Sequence, residues 1–237
     1  MITNNSKAAD LIYQNRELIL VFERIGIPLG FGEKTVEDIS REHNININLL
    51  LNLLNLQDNT GYKPEMKLNE TDIPVIVMYL KKSHDYFQAE VYPKIRENIK
   101  LLAECNTRKE VKMLWMFFEN YCNEVSEHFA YENNTVFPYV MEFYYSLIAL
   151  SKGETTIRPK ANYCVNDYKG HHDDIEAKLF DLKSLLVKFL PPDDSLQLRR
   201  KILYYLFDLE KDLNTHSRIE NELLIPTVAY FEKKSKQ

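Results

Sequence analysis

Apolar residues recur at helical steps along four long stretches of the chain. Ile73, Val77, Leu80, Phe87, Val91, Ile95 and Leu102 fall three, four or seven apart and predict a helix over about 72–103. Val111, Trp115, Phe118, Cys122 and Val125 open a second over about 108–149. Val165, Tyr168, Ile175, Leu179, Leu182, Leu186 and Phe189 predict a third over 162–190. Leu198, Ile202, Leu206, Leu209, Leu213 and Leu223 predict a fourth over 196–233. Pro93 lies well inside the first, where a kink or break is expected. A loop at 151–161 and a turn at 191–195 separate the later helices.

Shorter elements come first. One helix is expected over 6–25, with Leu11, Ile12, Leu18, Val21, Phe22 and Ile25 on one side, until the glycine-rich run 26–32 breaks it. Thr35, with Asp38 three residues on, reads as the N-cap of a short helix to about His43. Asn46 or Asn48 starts another through Leu56. Residues 61–71 form a polar linker, and Thr71 or Asp72 caps the next helix, with Pro74 in its first turn. The fold class is therefore all-α: an up-down four-helix bundle over 72–237, behind a small helical N-terminal domain at 1–60 and the linker at 61–71.

Each long helix carries one histidine in its apolar stripe: His84, His128, His172 and His216. A lone histidine there is usually a hydrogen-bonded core residue, but these four fall on a duplicated grid. His128-x3-Glu132-Asn133 and His216-x3-Glu220-Asn221 are 88 residues apart, and each ends in a proline, Pro138 or Pro226. His84-Asp85 and His172-Asp173 share that offset. Residues four apart share a helix face, so each His-x3-Glu can point an imidazole and a carboxylate at one ion or at two adjacent ions. Burying both glutamates without a cation would cost several kcal/mol for each, and a metal pair removes that penalty.

Two octahedral ions offer about twelve positions. Four imidazoles, two bridging carboxylates and an oxo or hydroxo bridge fill about ten of them, leaving about two for water, dioxygen, nitric oxide or exchange. No thiolate joins the set, which argues against structural zinc or an iron–sulfur cluster. Imidazole with carboxylate suits iron and leaves manganese and zinc open. Glu124 and Asp212, each four residues before a ligand histidine, either orient its imidazole or form an ordinary polar edge. His43 is expected in solvent, and His171 is rotated about 100° from His172 on the helix.

Composition narrows the classes further. Net charge is −5 without a basic stripe, which excludes a nucleic-acid groove. No apolar run approaches membrane-spanning length, the first residues lack a signal pattern, and Cys105, Cys122 and Cys164 form no framework, so a reduced cytoplasm is expected. Glu33 stands where a phosphate loop needs the glycine before Lys34-Thr35, so that reading fails.

The pattern resembles the hemerythrin-like di-iron bundles, most closely the repair-of-iron-centres (RIC) family, whose four histidines and two glutamates match His84, His128, Glu132, His172, His216 and Glu220. Oxygen-carrying hemerythrins have a further histidine in a His-x3-His, where this chain has Glu176. Phe22-Glu23-Arg24, Gly32-x-Lys34 and Val36-Glu37-Asp38-Ile39 are similar to the ScdA-type N-terminal domain of that family. The family's adjacent cysteine pair would fall at Gly30-Phe31, and it is absent.

The resemblance implies two iron ions in an oxo- or hydroxo-bridged di-iron centre. It also implies a monomeric or homodimeric metal-binding protein, rather than a classical enzyme, that restores iron–sulfur clusters after nitrosative or oxidative damage by donating iron. Its partners would be damaged iron–sulfur proteins or their assembly machinery, with dioxygen and nitric oxide as small ligands. The alternatives are an O2- or NO-binding sensor, or a reductase of nitric oxide or peroxide.

Overall fold

In the computed structural model, residues 1–106, 108–153, 173–192 and 195–235 are described. The chain is all-α. Among these residues no strand occurs, only an isolated antiparallel bridge between Lys7 and Thr35.

The helix expected over 6–25 is two helices, α1 (Ala8–Gln14) and α2 (Leu18–Arg24). Asn15 separates them: its Oδ1 accepts from the Glu17 N–H at 3.1 Å, and its carbonyl accepts from Leu18 at 3.2 Å. A short amide competes with the helical backbone in this way. Helix α3 (Val36–Glu42) has the expected capping box, in which the Thr35 hydroxyl accepts from the Asp38 N–H and the Asp38 carboxylate accepts from the Thr35 N–H. Asn46 caps α4 (Ile47–Asp58).

The following helix α5 (Ile73–Tyr86) is entered one residue pair earlier than expected. Asn69 is the cap, and a 3-10 turn at Glu70–Asp72 runs into the helix. Asp72 is the third residue of that cap. Its Oδ2 accepts from Asn69 N–H at 2.7 Å and from Asn46 Nδ2 at 2.6 Å, while burial pushes its carboxyl above the usual range.

The remaining helices are α6 (Tyr92–Cys105), α7 (Lys109–Tyr131), α8 (Phe137–Ser151), α9 (Asp173–Ser184), α10 (Leu196–Ile219) and α11 (Ile225–Lys234). Residues 162–172 of the third expected long helix lie outside the described residues. The expected kink or break at Pro93 is instead a π turn, Phe87–Val91, that carries α5 into α6. Further π turns, Glu132–Val136 and Glu220–Leu224, join α7 to α8 and α10 to α11, and Leu185–Phe189 closes α9.

A proline follows each π turn two residues after its end, at Pro93, Pro138, Pro191 and Pro226. Proline supplies no N–H and crowds the carbonyl four residues back, and in each case that carbonyl sits at the centre of the π turn. At Pro93, Pro138 and Pro226 the widened turn relieves the clash while the chain stays helical, whereas before Pro191 the helix ends. The Leu190 N–H to Leu185 carbonyl bond, 2.9 Å across five residues, is one such wide bond.

Packing divides the chain into two units, with boundaries inside helices at 83/84 and 214/215 and inside the π turn at 134/135. The first comprises the described parts of Met1–Ser83, Thr135–Lys169 and Thr215–Gln237, around Phe22, Leu50, Leu54, Ile76, Tyr79, Phe137 and Val228. Asn55 anchors the start of the chain there, accepting from Ile2 N–H at 2.8 Å and donating to Ile2 O at 3.0 Å.

The second unit comprises the described parts of His84–Asn134 and Gly170–Asn214, around Ile95, Leu114, Phe118, Val125, Leu182, Ile202 and Leu206. A two-point Arg96–Glu119 bridge at 2.7 and 3.0 Å ties α6 to α7. Lys178–Glu124 ties α9 to α7, and Lys183–Glu210 ties α9 to α10. Among the described residues no helix is long and apolar enough to cross a membrane.

Candidate metal centre

Apolar periodicity turns His84 and His216 inward, and the two glutamates stand at π turns. Glu132 and Glu220 are each the first residue of a π turn, a local form that recurs at functional positions. Both are fully buried, at 0 % exposure. His84, near the end of α5, is also buried, and its ring stacks on Phe129 with centroids 4.0 Å apart.

The Glu132 carboxylate lies between two imidazoles. Oε2 is 3.0 Å from His84 Nε2, and Oε1 is 2.8 Å from His128 Nε2. Asn133, the next residue, places Oδ1 3.3 Å from His84 Nδ1. With Nδ1–H donating to that amide oxygen, Nε2 keeps its lone pair, the tautomer a metal ligand needs. A bare Nε2 beside a carboxylate oxygen sets lone pair against lone pair unless a cation or a proton lies between them. The donor set therefore fits a metal.

In the second motif, His216 Nε2 is 3.3 Å from Glu220 Oε1, and both residues are buried. His128 stands on Glu132, and His172 lies outside the described residues.

The flanking carboxylates diverge. Glu124 pairs with Lys178 across to α9, so its charge is used on the polar edge. Asp212 is buried one turn before His216. Asn133 was not singled out by spacing, yet the shared Glu-Asn dipeptide of the two motifs was the signal for it. His43 is exposed at the end of α3, as expected, and His171 lies outside the described residues. Phe31 is buried against Phe22, centroids 4.7 Å apart, where the resembling family would carry a cysteine.

Cys122 is buried in the second unit, and burial pushes its thiol up to about 12, with Arg96 pulling the other way. It is neither a thiolate ligand nor a nucleophile near neutrality. Iodoacetamide at pH 8 should label exposed Cys105 and spare Cys122 in the native protein, as read by peptide mapping; labelling of both at equal rates would contradict the burial.

The chain is similar over nearly its whole length to iron–sulfur cluster repair proteins named ScdA. That of Staphylococcus haemolyticus (strain JCSC1435) is 20% identical over 227 residues, covering 94% of this chain and 98% of that protein. Those of Staphylococcus epidermidis strains RP62A and ATCC 12228 are 21% identical over 233 residues, covering 97% of this chain and all of theirs. No family model matches the chain.

Proposed function

We propose that this chain is a non-haem di-iron protein that restores iron–sulfur clusters damaged by nitrosative or oxidative stress, and that it does so by donating iron. The ligands are His84, His128, Glu132, His172, His216 and Glu220, and residues 72–237 form the iron-holding bundle behind the 1–60 domain. The observation that carries this reading is the buried Glu132 carboxylate held between two Nε2 atoms, and the second motif repeats the buried His–Glu pairing at His216 and Glu220. The similarity to cluster repair proteins supports the purpose.

In this reading iron is the cargo and supplies the metal that a damaged cluster has lost. The chain's own groups have separate tasks. Glu132 and Glu220 bring negative charge into an apolar interior that would otherwise repel a cation. Asn133 holds the His84 ring in the Nε2-ligating tautomer. Phe129, stacked on the same ring, limits its rotation.

Mixing the iron-loaded protein with a [4Fe–4S] dehydratase damaged by nitric oxide tests the donor role. Reactivation accompanied by iron loss from this chain is the expected result. Reactivation with all iron retained would refute donation, and multiple-turnover consumption of nitric oxide or peroxide would favour a reductase instead.

A further inference from the structure

Arg218 lies midway between His216 and Glu220 on α10, and its side chain is only 15% exposed. A guanidinium has five N–H donors, and all five have acceptors here. Nε donates to Glu222 Oε1 at 2.8 Å, and Nη2 donates to Glu222 Oε2 at 3.4 Å and to the Tyr62 carbonyl. Nη1 donates to the carbonyls of Leu56 at 3.4 Å and Asn59 at 3.1 Å. Glu222 belongs to the π turn that begins at Glu220, so one planar cation ties that turn to the end of α4 and the start of the linker.

Asn52 fixes the linker to α4, its Oδ1 accepting from the Tyr62 hydroxyl at 2.8 Å and its Nδ2 donating to the Glu65 carbonyl at 2.9 Å, and Arg218 joins that linker to the second motif. Tyr62, Lys63 and Met66 line an open cavity of about 480 Å3 together with Arg218, Glu222 and Pro226. The first motif has no counterpart of this clamp, because Ala130 and Asn134 stand where the second has Arg218 and Glu222. The duplicated motifs are therefore unequal: the His216–Glu220 half carries the Arg218 clamp to the 56–62 segment, and the first half has other residues at the two clamp positions.

We infer that Arg218 is a positioning residue that sets the π turn of Glu220 and makes iron retention by the His216–Glu220 half depend on the linker. The inference rests on the iron reading of that pair and adds to it an order of release. Detaching the linker loosens the second half while the Glu132 half keeps its hold. The Arg218 fork is matched to a carboxylate and to fixed carbonyls in a way a lysine ammonium cannot reproduce.

The test compares wild type, Arg218→Ala, Arg218→Lys and a control, Arg96→Ala, which removes the two-point bridge to Glu119 in the other unit. Two readouts are used: the rate of ferrous iron loss to ferrozine from loaded protein, and amide hydrogen exchange of the iron-free protein over residues 56–66 and 220–224. Arg218→Ala should release about half of the iron at least about 10-fold faster, the effect typical of losing a ligand's outer partner. The remainder should leave at the wild-type rate, and exchange should rise in both segments.

Arg218→Lys should fall between wild type and Arg218→Ala, and Arg96→Ala should leave the release rates unchanged. Faster exchange with unchanged iron release would reduce Arg218 to a structural clamp and overturn the inference. Equal acceleration by Arg96→Ala would also overturn it, by showing a general loss of stability. Wild type that takes up no iron would refute the iron reading itself, and this inference with it.

Discussion

Glu132→Ala and Glu220→Ala should each strip the protein of most of its iron. Glu132 presents one oxygen to His84 Nε2 and the other to His128 Nε2, so its loss removes the anionic group shared by two ligand imidazoles. Glu220 faces His216 Nε2 in the same way. Disturbing only the outer partner of a ligand weakens metal binding about 10–100-fold, and deleting a buried carboxylate ligand should exceed that range. Iron per chain after anaerobic loading and desalting is the measurement, with His128→Ala as a third member of the series. Full loading in all three variants would remove these residues from the centre. Glu124→Ala is the matched negative control, because Glu124 pairs with Lys178 and should leave iron content alone.

The paired variant Glu132→Gln, Glu220→Gln should melt at or above wild type when both are iron-free. Two fully buried carboxylates carry a desolvation penalty of several kcal/mol each, and replacing buried ionic groups by neutral ones of similar volume commonly stabilises by about 1–4 kcal/mol. For a chain of this size that corresponds to a rise of about 2–16 °C. Iron should reverse the order. Wild type at 100 times its dissociation constant gains about 2.7 kcal/mol by mass action, while the double variant, unable to bind, gains nothing. Melting curves in the presence of chelator and of ferrous iron read both effects. A large drop for the iron-free double variant would mean that the glutamates serve as structural hydrogen-bond partners rather than as ligands.

The long helices were legible because burial alone sets their period: Val111, Phe118, Cys122 and Val125 fall on one face whatever packs against them. His84 and His216 were legible for the same reason, since both fall in an apolar stripe and both are buried, while His128 is partly exposed and His172 lies outside the described residues. The π turns were only half legible. Prolines marked where the helix is disturbed, but whether a proline kinks, breaks or widens a turn depends on what packing holds the two flanking segments in line.

Local competition hid other features. Asn15 breaks the first helix with its own side chain, and the two-turn step from Leu11 to Leu18 kept the helical period and concealed it. Asn69, Thr71 and Asp72 are all cap formers, and the choice fell to Asn69 because Asp72 is drawn inward to Asn46. Glu124 has a charge partner on another helix, Lys178, which spacing along one helix does not reveal. Arg218 was passed over because its acceptors are backbone carbonyls some 160 residues earlier in the chain.

The six proposed ligands are expected to hold a pair of iron ions. Metal analysis of freshly purified protein, with its absorption spectrum, decides this. Two irons per chain and a near-ultraviolet band from an oxo-bridged ferric pair are the expected result, both lost in the Glu132→Gln, Glu220→Gln variant. Stoichiometric zinc with a featureless spectrum, or iron that survives loss of both carboxylates, would contradict it.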